Sequence, residues 1–224
     1  MKRIRYFFKS FLGVFFFIII LFVCAGRINY YQGWIFAAIS FLGLLIDYLL
    51  ISNDDELLEE RTKPPKDAKE WDKRILKFSA LTTIIVYIVA GLDSGRFHWS
   101  PHFQWEVTLL GIILIISGQL IFLAAKKTNK FFSSVVRIQN DRGHTVCQVG
   151  LYKYIRHPGY LGMIISWIGL PLLLGSNWSI IPVIFAIILL LLRTYLEDGT
   201  LIMELSGYSQ YVQKTRYKLI PGIW

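Results

Sequence analysis

Between Arg137 and Gly162 the chain reads RIQNDRGHTVCQVGLYKYIRHPGYLG, a polar stretch rich in Gly, His and Arg between long apolar runs. Polar residues wedged between such runs are where chemistry is to be sought. The centre of the stretch is Tyr152, Arg156, His157, Pro158, Gly159 and Tyr160. Pro158 biases His157 toward extended backbone and suits the first position of a helix. Amides exposed at that helix's N-terminus attract a carboxylate or another anion, and His157 adds a donor in the same place. The stretch has no evident nucleophile, because Ser133 and Ser134 are distant in sequence and no Ser, Cys or Thr lies beside His157. A second polar cluster, Arg193 to Asp198 (RTYLED), follows the last apolar run. Arg193 and Glu197 are spaced to share one face of a helix. Two readings stay open for them. They form an ion pair at a membrane edge, worth about 0.3–0.5 kcal/mol, or Glu197 binds a cationic ligand group while Arg193 polarises an anionic or carbonyl substrate. The two clusters are expected to fold together into one site.

The elements that must position them are apolar. The 224 residues are 54% hydrophobic, 16% aromatic and 17% charged, whereas a soluble domain carries about 25% charged residues. An all-α, polytopic integral membrane protein follows. Six runs are candidate spans: Phe11–Ala25, Trp34–Ile51, Ile75–Leu92, Trp105–Ala125, Tyr160–Gly175 and Trp178–Leu192. The first follows Lys2, Arg3, Arg5 and Lys9 like a signal peptide, but bulky Phe22 and Val23 before a cut favour a retained helix. Gly111, Ser117 and Gly118 in the fourth run permit close helix contact. Gly162, Gly169 and Pro171 predict a kink in the fifth. The short Gly175–Asn177 turn makes the last two antiparallel neighbours.

Six spans place the basic N-terminus, the Ser52–Arg74 loop, the Lys126–Arg156 stretch and the tail on one side. The alternate loops hold only Arg27, only Arg96 and no cation. That arrangement obeys the positive-inside rule and puts both termini and both polar clusters in the cytosol. The net charge of +9 is therefore read as anchoring to anionic membrane lipid, not as nucleic-acid binding. Asp47 is expected to be solvated at the membrane edge rather than buried beside a cation. Glu56, Glu59 and Glu60, with Arg61 and Lys63, read as a solvated ionic face on a loop broken by Pro64 and Pro65. His98 and His102 lack a third ligand and have Pro101 between them, so no metal is expected. Cys24 and Cys147 read as two unpaired thiols.

HTVCQVGLYKYIRHPGYLG, an apolar hairpin, RTYLE and then GYSQYVQKTRYKLIPGIW together resemble the isoprenylcysteine carboxyl methyltransferase family. The resemblance covers Arg137 to the C-terminus, while the first four spans match only in kind. It implies an integral membrane enzyme with residues 1–130 as a four-span region carrying the 52–74 loop. Residues 131–224 would be a cytosolic cofactor-binding region with a helical hairpin over 160–192. It further implies S-adenosylmethionine as methyl donor and a carboxylate on an apolar or prenylated-cysteine acceptor. By position, His144, Thr145, Val146 and Cys147 would line the adenosine, Tyr152 would contact the cofactor, and His157, Pro158, Gly159 and Tyr160 would hold its methionine part. Glu197 would bind the cofactor and Arg193 the substrate carboxylate, bidentate if geometry allows. Arg137 stands where the family has a Gln that contacts the cofactor. A phospholipid headgroup N-methyltransferase, an NADPH-dependent membrane reductase and a non-catalytic scaffold are the other readings. Arg193 favours the carboxylate acceptor, since a cation repels an ammonium headgroup.

Overall fold

A computed structural model describes residues 2–51, 58, 60 and 67–224. Among these the chain is helical and contains no strand. Its helices are α1 (Lys2–Ala25), α2 (Tyr31–Ile51), α3 (Glu70–Ala90), α4 (Trp105–Thr128), α5 (Pro158–Leu174), α6 (Ile180–Glu204) and α7 (Tyr208–Lys214). Apolar runs of this kind become helices because a bilayer core offers no water to backbone polar groups, and a helix satisfies them internally. α1 to α4 and α6 are each long and apolar enough to cross a membrane. α5 has 17 residues, about 25 Å at the α-helical rise. The protein is an integral membrane protein.

Two polar layers cap the bundle at opposite ends. At one, Asp93 accepts hydrogen bonds from the Ser100 amide and hydroxyl (2.7 Å each), the Ser176 hydroxyl (2.6 Å) and the Trp178 amide (3.2 Å). Tyr30 and Ser94 both donate to the Leu174 carbonyl there. At the other end Asp47 meets Lys126, and Asp72, Arg193, Arg156 and Asp198 gather. Successive helices therefore run in alternating directions.

The site depends most on how α4 meets α5. A Cβ added at Gly118 would lie 2.4 Å from the Gly162 carbonyl oxygen, and one at Gly162 would lie 2.5 Å from that of Gly118. Gly111 and Gly169 repeat the arrangement further along, where a Cβ added at Gly111 would lie 2.4 Å from the Leu173 amide nitrogen. The helices touch backbone to backbone, which only small residues allow. This contact brings the foot of α5, with His157 and Gly159, beside the end of α4. α5 runs on through Pro171 without a break.

Several expectations need correction. Asp47 is not solvated: the Lys126 ammonium lies 2.5 Å away, and the Tyr6 hydroxyl also donates to it. Three helix ends converge there and leave the Asp47 side chain only 15% exposed. Glu60 is buried against Arg137 rather than part of a solvated face. Glu56, Glu59, Arg61, Lys63, Pro64 and Pro65 lie outside the described residues. α3 does not stop near Leu92 but continues as a π-helical turn, Gly91–Phe97. Among the described residues no group of three His, Cys, Asp or Glu is placed to hold a metal.

Candidate active site

The chain between α4 and α5 has little regular structure: two single 3-10 turns, Asn140–Arg142 and Gly150–Lys153. It folds over the feet of α3, α5 and α6 and is tied down at both ends. The Lys69 amide donates to the Val136 carbonyl (3.1 Å), and the Arg156 and His157 amides donate to the carbonyls of Tyr217 and Lys218 (2.9 Å each). The tail thus pairs with the residues just before α5. Between the loop and the helices lies a cavity enclosing about 830 Å³ of empty space, its mouth included.

Arg137, His144, Thr145, Val146, Cys147, Tyr152, His157, Gly159, Tyr160, Arg193 and Glu197 all line this cavity. Of the residues singled out from the sequence, Pro158 alone is not in its wall. It is buried at the first position of α5, where its ring sets the helix's start. Residues of both polar clusters therefore line one cavity. Phe131, Phe132, Tyr208 and Tyr211 add aromatic wall.

One side of the cavity is lined by neutral groups, with the cations Lys130 and Arg142 stacked on its Phe131 ring. Phe131 packs on His144 with ring centroids 4.5 Å apart. Burial, with the nearby Arg137 and Arg142 charges, lowers the His144 pKa to about 4, so its imidazole is neutral at physiological pH. Burial also raises the Cys147 thiol and the Tyr152 phenol above their ordinary values, so neither presents an anion. Ser133 lines the cavity too, but its hydroxyl is held by Glu60 at 2.7 Å.

The other side carries the charge. Tyr160 donates its hydroxyl to Glu197 through a short hydrogen bond. Arg193 does not pair with Glu197. It pairs instead with Asp72 of α3, Nε to Oδ1 at 2.7 Å and Nη2 to Oδ2 at 3.2 Å. Its guanidinium also lies 5.5 Å from the Tyr160 ring centroid. His157 points Nε2 at Asp198 Oδ1, 3.1 Å away. Asp198 also accepts two hydrogen bonds from Arg156, at 2.8 and 2.9 Å, and one from Tyr208 at 2.9 Å.

Arg137 is itself occupied. Glu60 and Asp141 both take hydrogen bonds from it and hold its guanidinium firmly protonated. The helix N-terminus is less open than expected. Pro158 has no N–H, and the Tyr160 and Leu161 amides donate to the His157 carbonyl. That leaves the Gly159 amide as the first-turn donor not used in this way.

Comparison with known proteins gives the site its context. The sequence profile of the isoprenylcysteine carboxyl methyltransferase (ICMT) family matches residues 93–203. That segment is just under half of the chain, and over it the chain is similar to this family. A protein-S-isoprenylcysteine O-methyltransferase of Saccharomyces cerevisiae is 36% identical over 81 residues, 36% of this chain and 34% of that protein. A probable protein-S-isoprenylcysteine O-methyltransferase of Oryza sativa subsp. indica is 33% identical over 76 residues, covering 34% of this chain and 40% of the relative. The matches thus span about two fifths or less of these curated relatives. A solved structure titled as the eukaryotic intramembrane Ras methyltransferase ICMT superposes with a TM-score of 0.58 at 17% identity. It covers 94% of this chain and 74% of that one, and at this identity the likeness is one of fold.

Within the isoprenylcysteine carboxyl methyltransferase match lie all the cavity residues from Asn129 to Leu201. Asp72 and Glu60, which engage Arg193 and Arg137, precede it. Tyr217 and Lys218, which pair with the loop, follow it. Sequence reasoning missed Asp72, Glu60 and Asp198 as parts of the site. Asp198 had a signal, since it stands beside Glu197 in RTYLED and, close to an apolar run, needs a partner. Asp72 had none, lying in a charged segment that resembles any solvated loop.

Proposed function

We propose that the chain transfers a methyl group from S-adenosylmethionine to a carboxylate of an apolar acceptor of the prenylated-cysteine type. One observation carries this reading. The residues matching the family's cofactor segments line a single cavity together with Arg193, the residue matching the acceptor's partner. The curated relatives are named for methylating isoprenylcysteine, and the family resemblance adds the donor.

The cavity's chemistry suits that donor. The neutral Phe131–His144 wall can pack against a nucleobase without placing a charge on it. Glu197 offers an anion to a cationic amino group, and its Tyr160 partner fixes the carboxylate's direction. His157 and the Gly159 amide offer donors to a carboxylate. Held by these residues, S-adenosylmethionine would supply a methyl already activated by its sulfonium, for which a carboxylate, already an anion, would be a sufficient acceptor. The protein therefore needs no nucleophile and no general base. Its work is alignment, exclusion of water and management of charge.

A second cavity supports the apolar acceptor. It encloses about 1,360 Å³ among α1, α2, α3, α4 and α5, lined mainly by apolar residues such as Val14, Phe17, Phe36 and Leu170. Phe122 on its wall meets Phe132 of the first cavity edge to face, ring centroids 5.4 Å apart. We infer that the acceptor's hydrocarbon chain lies on the membrane side of this aromatic pair and its carboxylate on the other. The basic end of the bundle would face the cytosol, with both termini and the methyl-transfer site on that side.

The test is a methyl-transfer assay with radiolabelled S-adenosylmethionine on purified protein in lipid. It offers an S-farnesylated cysteine derivative, a fatty acid and phosphatidylethanolamine vesicles. Base-labile label on the farnesylated acid is expected, because a methyl ester hydrolyses in alkali. Base-stable label on the phospholipid alone, or no calorimetric binding of S-adenosylhomocysteine, refutes the proposal.

A further inference from the structure

Arg193 carries five N–H donors, and three of them are already used. Nε donates to Asp72 Oδ1, while Nη2 donates to Asp72 Oδ2 and, at 2.9 Å, to the Ser134 carbonyl. The two hydrogens of Nη1 take no partner among the described residues. Asp72 is fully buried and is held in turn by the Val136 amide, 2.8 Å from Oδ2. Both ways in which a guanidinium grips a carboxylate with two nitrogens, Nε with Nη2 or Nη1 with Nη2, need an Nη2 hydrogen. Neither remains free.

We propose that Asp72, at the foot of α3, is a positioning residue that restricts Arg193 to a single-point contact with the acceptor. The inference rests on the methyl-transfer reading above. Its chemical consequence concerns the nucleophile. A two-point grip would hydrogen-bond both acceptor oxygens and draw electron density from the one that must attack. A grip through Nη1 alone anchors one oxygen and leaves the lone pairs of the other free. Asp72 also balances the Arg193 charge, so the guanidinium does not repel a sulfonium nearby. The residue doing this lies outside the segment that matches the family profile.

The test uses Asp72→Asn, which keeps the shape and can still accept from the Val136 amide but releases the guanidinium. With the farnesylated acceptor, kcat should fall about tenfold or more, while affinity for S-adenosylhomocysteine stays within about twofold. Adding Arg193→Met to Asp72→Asn should lower kcat no further than Arg193→Met alone, since one residue acts through the other. The double variant should also melt above Arg193→Met, which strands a buried carboxylate. If Asp72→Asn does not fold, Asp72→Glu, which keeps the charge on a longer arm, is read by the same two measurements. An unchanged kcat, losses that multiply in the double variant, or a cofactor affinity that falls in step with kcat overturns the inference alone. Wild-type protein that methylates no acceptor overturns the underlying reading, and the inference with it.

Discussion

Replacing Asp198 with alanine should loosen the wall of the cavity, because Asp198 holds Arg156, His157 and Tyr208 in it. Asp198 is 2% exposed. It accepts from Arg156 Nε and Nη2, from His157 Nε2 and from the Tyr208 hydroxyl, with Lys218 Nζ 3.7 Å away. Arg156 remains charged whatever its surroundings and would keep only the Thr215 and Arg216 carbonyls. Removing one partner of a buried ion pair costs about 3–5 kcal/mol. In a chain of this size each kcal/mol moves the unfolding midpoint by about 2–4 °C, so a drop of roughly 6–20 °C is expected. Asp198→Asn keeps the shape and one acceptor oxygen and should lose about half as much. The assay is thermal unfolding of the detergent-solubilised protein, followed by tryptophan fluorescence. Because the same carboxylate orients His157 and anchors Tyr208 in the cavity wall, S-adenosylhomocysteine affinity should fall alongside. An Asp198→Ala midpoint within about 2 °C of wild type would show that the network stabilises nothing, and the reasoning would fail.

Glu197→Ala should weaken S-adenosylhomocysteine binding by about tenfold or more in a folded protein, read by calorimetry; Arg193→Ala should leave that affinity within about threefold and cut turnover about a hundredfold. Gly118→Leu should prevent the backbone contact between α4 and α5 and abolish accumulation of folded protein in membranes, whereas Gly13→Leu, with open space around it, should be tolerated. His144 sets a pH dependence. Its folded pKa near 4 lies below the ordinary value of about 6.5, so protons favour the unfolded chain between those values. Its contribution to stability is complete above about pH 6.5 and is lost as pH falls toward 4, about 1–2 kcal/mol after allowing for its partial exposure. His144→Gln should flatten that part of the melting profile; an unchanged slope between pH 4.5 and 6.5 would count against a neutral buried imidazole.

Much of this could be read in advance because a membrane makes local pattern decisive. Six apolar runs had to become helices, since no other local structure satisfies the backbone in lipid. The alternation of basic and neutral loops then assigned their directions. Helix spacing put Arg193 and Glu197 on one face, and both do line the cavity. What could not be read was how each charge is neutralised. Asp47 looked solvated, yet it holds Lys126 across the bundle. Arg193 looked ready for a two-point grip or for Glu197, yet α3 supplies Asp72. These pairings join residues that lie 79 and 121 positions apart, and no local pattern encodes such distances.

By itself, then, the sequence determined the membrane class, the helices, their directions and the two segments that meet. Each follows from hydropathy, charge bias or periodicity, which act over a turn or a span. Only the tertiary structure decided which donors on those segments remain free. A buried charge takes whatever opposite partner the packing brings near, and here the glycine contact of α4 with α5 and the return of the tail set that packing. The partners of Arg193, Arg137 and His157 came from α3, from Glu60 and Asp141, and from the foot of α6, while Glu197 took the Tyr160 hydroxyl and Nη1 of Arg193 took no partner among the described residues.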